Sequence, residues 1–287
     1  MEKLFLRLSS QENIKRFEKV VVFFAIVFFL IHILLIFFTH QIQLLPLQET
    51  VSPNYLSSII TPIEIIFFYE VFLLVLAIPR SIAFSILKQM EILVLLLVRE
   101  VFKLLPEIEN FETIWRERDL LTQIALFFGS SVVAFLLVAV FKLIVEKALL
   151  KSKQTTDSKI LYIKNIFTLF VIILLVIFVI IDVTSNLLTI FGVSTYNFEY
   201  IFPLLFVLIF VDVLIFLFSL VFSDDLGIIY IDSAFILSAI FLRFAIAIGG
   251  TPKIIIVLAT MVASITALSI YTFLWKKGRE YIGENTI

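Results

Sequence analysis

The chain has 287 residues and no cysteine, with two histidines, seven glycines and seven prolines. Without cysteine there is no disulfide, no thiol nucleophile and no thiolate-bound metal. His32 and His40 stand eight residues apart in one apolar run with no second ligand in view, so neither haem nor metal is expected, and no cofactor of any kind. Charge is also scarce, at 16% of residues with a net of −1, which gives no basic face for nucleic acid. The sequence has no GxSxG, no HExxH and no glycine-rich phosphate loop, so the common catalytic signatures are missing. Few glycines also argue against the broken helices and large rocking motions of many transporters, and toward a stiffer body.

What the chain has in abundance is hydrocarbon. Hydrophobic residues make up 62% of it and the mean hydropathy is +1.15, against about 45–50% apolar for a soluble domain. Apolar runs of membrane-spanning length recur from end to end. They predict an all-α, polytopic helical membrane bundle with eight spans, near 19–39, 57–78, 81–105, 120–145, 160–184, 200–222, 228–248 and 253–275. The lipid bilayer is therefore the first partner. The run Val20–Phe38 exceeds the length of a signal-peptide core and lacks a small-residue cleavage site after it, so it reads as the first span. Residues 1–18 and 276–287 read as short flanking segments of one domain, 19–275. No loop is long enough to form a domain of its own.

Basic residues set the expected orientation. Lys3, Arg7, Lys15, Arg16 and Lys19 precede the first span, and six lysines from Lys142 to Lys164 surround the link between the fourth and fifth. Lys276, Lys277 and Arg279 follow the last, while 40–58 and 185–199 have no Lys or Arg. Both termini are thus expected in the cytoplasm, in the inner membrane, provided that 81–105 crosses. That third segment is the doubtful one, because Lys88, Gln89 and Glu91 interrupt it.

Charges inside the spans are the informative exceptions. Each costs about 2.5–3.5 kcal/mol near the bilayer centre, so it is expected to face the interior and be paired. With a turn at Pro79–Arg80, residues whose numbers sum to about 159 share a depth. This brings Glu70 to Lys88 and Glu64 to Arg99, and leaves Glu91 without a partner. A second hairpin about the turn Ser223–Gly227 brings Asp212 within a turn of Arg243, with Asp232 on the face of Arg243. Pro62 and Pro203 open the two hairpins, and Arg99 and Arg243 are 144 residues apart. These correspondences fit a 4+4 parallel repeat with halves 19–148 and 160–275. Small residues (Gly129, Ser130, Ser131, Ser233, Ser238, Ala245, Ala263, Ser264, Ala267 and Ser269) mark spans four, seven and eight as the closely packed ones.

Two functional readings follow. The first is an ion or proton channel, or a small transporter, acting on a proton or small cation. Its path candidates are Glu70, Glu91, Asp232, Asp212 and Glu64, with Lys88, Arg99 and Arg243 as charge partners. The second is a noncatalytic scaffold or sensor subunit, with a protein partner or a second copy, whose buried charges only fix helix register. An enzyme ranks third: Asp224, Asp225 and Asp232 resemble the magnesium-binding aspartates of membrane prenyl- or phospho-transferases, but the rest of those motifs is missing. A voltage sensor is set aside because the fourth span has no arginine ladder. The stretch 106–119 reads as an amphipathic surface segment, and Trp275 as an interfacial anchor.

The absence of cysteine makes the topology directly testable. A single cysteine at Ser10 and another at Thr251 should react with an impermeant maleimide from opposite sides of the membrane. Labelling of both from one side would refute the orientation.

Overall fold

The structure, a computed structural model, describes residues 10–42, 54–78, 82–108, 118–149, 158–190, 201–222 and 226–275. They form eight α-helices and, among the described residues, no strand. These are α1 (Gln11–Ile42), α2 (Ile60–Ala77), α3 (Ile82–Leu104), α4 (Arg118–Leu149), α5 (Ser158–Ile190), α6 (Ile201–Phe222), α7 (Leu226–Ala247) and α8 (Pro252–Ile270). In hydrocarbon every backbone N–H and C=O must be satisfied within the segment, and a helix does this by itself. Several helices overrun their apolar windows, as α1 and α5 do, because the hydrogen-bond ladder continues into polar residues that can still adopt helical geometry.

Six of the eight, namely α1, α2, α4, α5, α7 and α8, are long and apolar enough to cross a membrane. The apolar part of α6 is shorter, Pro203–Phe218. The doubtful third segment folds as an unbroken helix of 23 residues. It falls outside the six because of its charges, Lys88, Glu91, Arg99, Glu100 and Lys103.

Local chemistry fixes the ends. Asn54 caps the short 3₁₀ turn Tyr55–Ile59 before α2: its side-chain oxygen accepts from the Leu56 N–H at 2.9 Å. Its amide donates to the Pro106 carbonyl at 2.7 Å, tying the start of α2 to the end of α3. Proline stands in the first turn of α8, where its missing N–H costs nothing. Four residues, 248–251, join α7 to α8, and Gly250 turns the chain there with φ of 72°, a conformation open mainly to glycine.

Cross-links between helices show that successive helices run antiparallel. His32 of α1 meets Thr61 of α2 at 2.6 Å, and the end of α3 meets the start of α2. One end of the bundle, the N-terminal end, therefore holds the starts of α1, α3, α5 and α7. The far end holds the starts of α2, α4, α6 and α8.

The core has two compartments that share α3. Ile86, Leu87, Met90, Leu93 and Leu97 pack with α4, α7 and α8, around Phe141, Leu242 and Met261. Ile92 and Leu96, on another face, pack with α2, α5 and α6 around Leu74, Leu175 and Leu208. A third face of α3 carries Lys88, Glu91, Leu95 and Arg99. Neighbour relations in the first four helices (α1–α2, α2–α3, α3–α4) are matched in the last four (α5–α6, α6–α7, α7–α8). Between the two sets, α3 packs on α7 and α4 on α8.

The small residues behave as expected in part. Ser130, Ser131, Ser238, Ala245, Ser264 and Ala267 are buried where α4, α7 and α8 meet, whereas Gly129 and Ala263 face outward. The buried serines bond their own helix, as Ser264 does to the Thr260 carbonyl at 2.8 Å, so they allow close approach without demanding partners. Among the spanning helices α1 and α5 are the least covered, with 17% and 22% of their apolar windows buried against 44% for α7.

The division of α3 into faces predicts unequal costs at two leucines only two positions apart. Leu93→Ala should destabilise the detergent-solubilised protein by about 2–5 kcal/mol. Leu95→Ala, at an exposed position, should change stability by less than about 0.5 kcal/mol. Thermal unfolding of the two variants checks this.

Candidate functional site

Three buried or half-buried ion pairs tie the bundle together, two of them within hairpins and one between distant helices. In the first hairpin Arg99 of α3 donates to Glu64 of α2. Its guanidinium lies over the Phe67 ring, 4.4 Å from the centroid, and Lys103 stands 4.0 Å from the same carboxylate oxygen. In the second hairpin the Arg243 Nη2 lies 2.7 Å from Asp212 Oδ2. Arg243 is 1% exposed, and its Nε and Nη1 have no protein partner. Both pairings follow from the depth rule for antiparallel hairpins. Arginine holds the carboxylate and still reaches across one helical turn, which a shorter base could not.

The third pair was not anticipated. Lys253 in the first turn of α8 donates to Glu100 at the end of α3 at 2.6 Å, with its ammonium group 4% exposed. The residues are 153 apart, so hairpin geometry could not suggest it. One signal was present: a lysine at a helix N-terminus opposes the helix dipole and needs a compensating acid.

One expected pair is replaced by another. Lys88 does not bind Glu70; it binds Glu91 on its own helix at 2.6 Å. Residues three apart on one helix are already neighbours, and the short reach wins over a bond across the hairpin. The lone acid is therefore Glu70 and not Glu91. Among the described residues no basic group lies within ion-pair distance of Glu70, though Lys88, Glu91 and Glu18 all act on it electrostatically.

Glu70 occupies a particular place. A groove of about 420 Å³ opens at the N-terminal end between α1, α2 and α3, lined by Lys15, Glu18, Tyr69, Glu70, Phe84 and Lys88. A narrower, apolar pocket of about 130 Å³ follows α2 and α3 toward the far end, past Phe67 and Leu95 to Arg99. Among the described residues Glu70 is the one that borders both. The groove is of ligand-binding size, and its ionisable lining contrasts with the dry pocket beyond.

Asp232 and Asp212 lie at the second hairpin, both within electrostatic reach of Lys164 of α5. Lys164 is itself buried, although its place in a basic cluster gave no hint of that. His32 is bonded to Thr61 within the bundle, as expected of a histidine in an apolar helix. Among the described residues no group of three or more His, Asp or Glu could hold a metal ion. The amphipathic segment expected at 106–119 lies, from 109 to 117, outside the described residues, and so do Asp224 and Asp225.

Eight helices of this composition, with arginines paired inside, define a multi-pass helical membrane protein. Compared with known proteins, the chain matches no family model, no curated protein and no solved structure.

The Asp212–Arg243 pair yields a thermodynamic prediction. Asp212→Asn strands the arginine charge in the interior and should cost about 3–5 kcal/mol, whereas the double variant Asp212→Leu/Arg243→Leu should recover most of that loss. Melting in detergent, followed by size exclusion, distinguishes the two. Equal loss in both variants would show that the charges are not coupled.

Proposed function

We propose that this protein is a pathway for protons or another small cation, in which Glu70 is the group that receives the ion. The observation that carries the reading is the position of Glu70 at the junction of the wide, ionisable groove and the narrower apolar pocket. A carboxylate without a direct cationic partner, reached through a groove and backed by apolar side chains, can exchange a proton or hold a desolvated cation. The Lys88–Glu91 pair beside it is half-exposed and supplies a local field without cancelling it. Glu64 and Arg99 close the far side, and Asp212, Asp232 and Arg243 form a second cluster in the other half of the chain. On this reading the halves 19–148 and 160–275 are two copies of one four-helix unit, supported by the matched packing of their helices. The termini lie in the cytoplasm and the groove opens to that side, in agreement with the basic residues near the ends.

A second reading has its own support. The ion pairs Glu64–Arg99, Asp212–Arg243 and Glu100–Lys253 each join two helices, which is what a rigid scaffold or sensor subunit requires. Such a protein needs a partner or a second copy, for which the little-covered faces of α1 and α5 are available.

Flux into proteoliposomes separates the two. With an imposed potassium diffusion potential, the native protein should acidify or alkalinise the lumen, and Glu70→Gln should bring the rate to that of empty vesicles. Glu91→Gln should leave most of it. Native protein without flux for protons, sodium or potassium removes the pathway reading and favours the scaffold.

A further inference from the structure

About a quarter-turn of α3 from the face of Lys88, a small cavity of about 20 Å³ lies between α2, α3, α5, α6 and α7. Its polar lining is Ser85 and Gln89 of α3, Lys164 of α5 and Asp212 of α6, with Phe235, Ile236 and Ala239 of α7 completing the wall. Gln89 is 3% exposed, and neither its amide nitrogen nor its amide oxygen has a protein partner. Asn165, beside Lys164 and also buried, has a side-chain oxygen in the same condition. An amide buried in this way costs about 1–3 kcal/mol or more if left unsatisfied.

The chemistry of the lining selects the guest. The unsatisfied atoms include both donors and acceptors, so a bare cation or anion would satisfy only one kind. The charges are balanced: Asp212 is bonded to Arg243, and Lys164 lies within reach of Asp232 and Asp212. An added ion would break that balance. The volume suffices for one water or at most two, since a single water needs about 10–15 Å³ of such space. We infer that this cavity is an internal water-binding site in which a water links Gln89 of α3 to Lys164 of α5 and Asp212 of α6. Gln89 is the reader of the site, because an amide can donate to and accept from water at once. Gln89 stands seven residues into α3, about 10 Å along its axis, so the water is well inside the bundle. It joins ionisable groups of the last four helices to the central helix of the first four, and gives Lys164 and Asp212 a shared proton carrier. The inference is independent of flux through Glu70.

X-ray radiolytic labelling of the full chain in lipid nanodiscs tests it, because bound water generates hydroxyl radicals beside the residues that hold it. Phe235 lines the cavity, whereas Phe141, whose ring lies 6.0 Å from it centre to centre, is buried in the neighbouring dry core. Phe235 and Ile236 should be modified several-fold faster than Phe141 in the native protein, and Gln89→Leu should bring Phe235 down to the rate of Phe141. Equal labelling in the native protein would mean a dry cavity and overturn the inference without any variant. Persistent labelling in Gln89→Leu would show a water that Gln89 does not hold, and overturn the assignment. Thermal unfolding gives a further check: a Gln89→Leu protein more stable than native would mean that the amide was never hydrated.

Discussion

Hydrocarbon cannot solvate charge, and the central fact of this fold is that one helix of an otherwise apolar bundle carries five charged side chains. Lys88, Glu91, Arg99, Glu100 and Lys103 favour a place for α3 that other helices shelter on two faces, while Leu95 on the charged face stays exposed. The other helices are arranged to provide that shelter. α4, α7 and α8 cover one apolar face, α2, α5 and α6 cover another, and the charged face looks onto α2 and the groove beside α1. A helix with uniform apolar surface could have taken any place in the bundle. The helix that is least at home in lipid takes the middle.

From that placement the rest of the polar architecture follows. Each charge on α3 finds its nearest opposite: Arg99 across the hairpin, Glu100 on the incoming turn of α8, and Lys88 with Glu91 along its own axis. Gln89, on a neighbouring face, lines a small cavity with Lys164 and Asp212. Two polar regions thus flank α3 near the N-terminal end, one large and one small. On α3 itself Ile92 and Leu96, packed with α2, α5 and α6, stand between the two faces. The pairing Asp212–Arg243 in the second half echoes Glu64–Arg99 in the first, but it lies deeper and is more completely enclosed.

Much of this was legible in the chain, and for identifiable reasons. The number and rough places of the helices follow from the apolar runs, because only a helix meets the backbone's needs in lipid, whereas their ends do not, since α1 and α5 continue into polar residues. Glu64–Arg99 and Asp212–Arg243 could be read because an antiparallel hairpin with a short turn fixes the depth of each residue by simple counting. Glu100–Lys253 could not, since nothing in a sequence states which of several similar helices will be neighbours. Glu70 and Glu91 exchanged roles because depth alone does not decide between a partner across the hairpin and one a single turn away. The burial of Lys164 and the cavity at Gln89 depend on five helices meeting, which no local pattern encodes.

Among the described residues the ties are unevenly distributed along the bundle axis. Asn54–Pro106, Glu64–Arg99, Glu100–Lys253 and the tight connection at Gly250 all belong to the far end. The open groove belongs to the other. The ties thus gather at the rim where the apolar pocket stops at Arg99, and the wider groove beside α1 lies at the opposite rim, so a change in the groove's width need not disturb any of them.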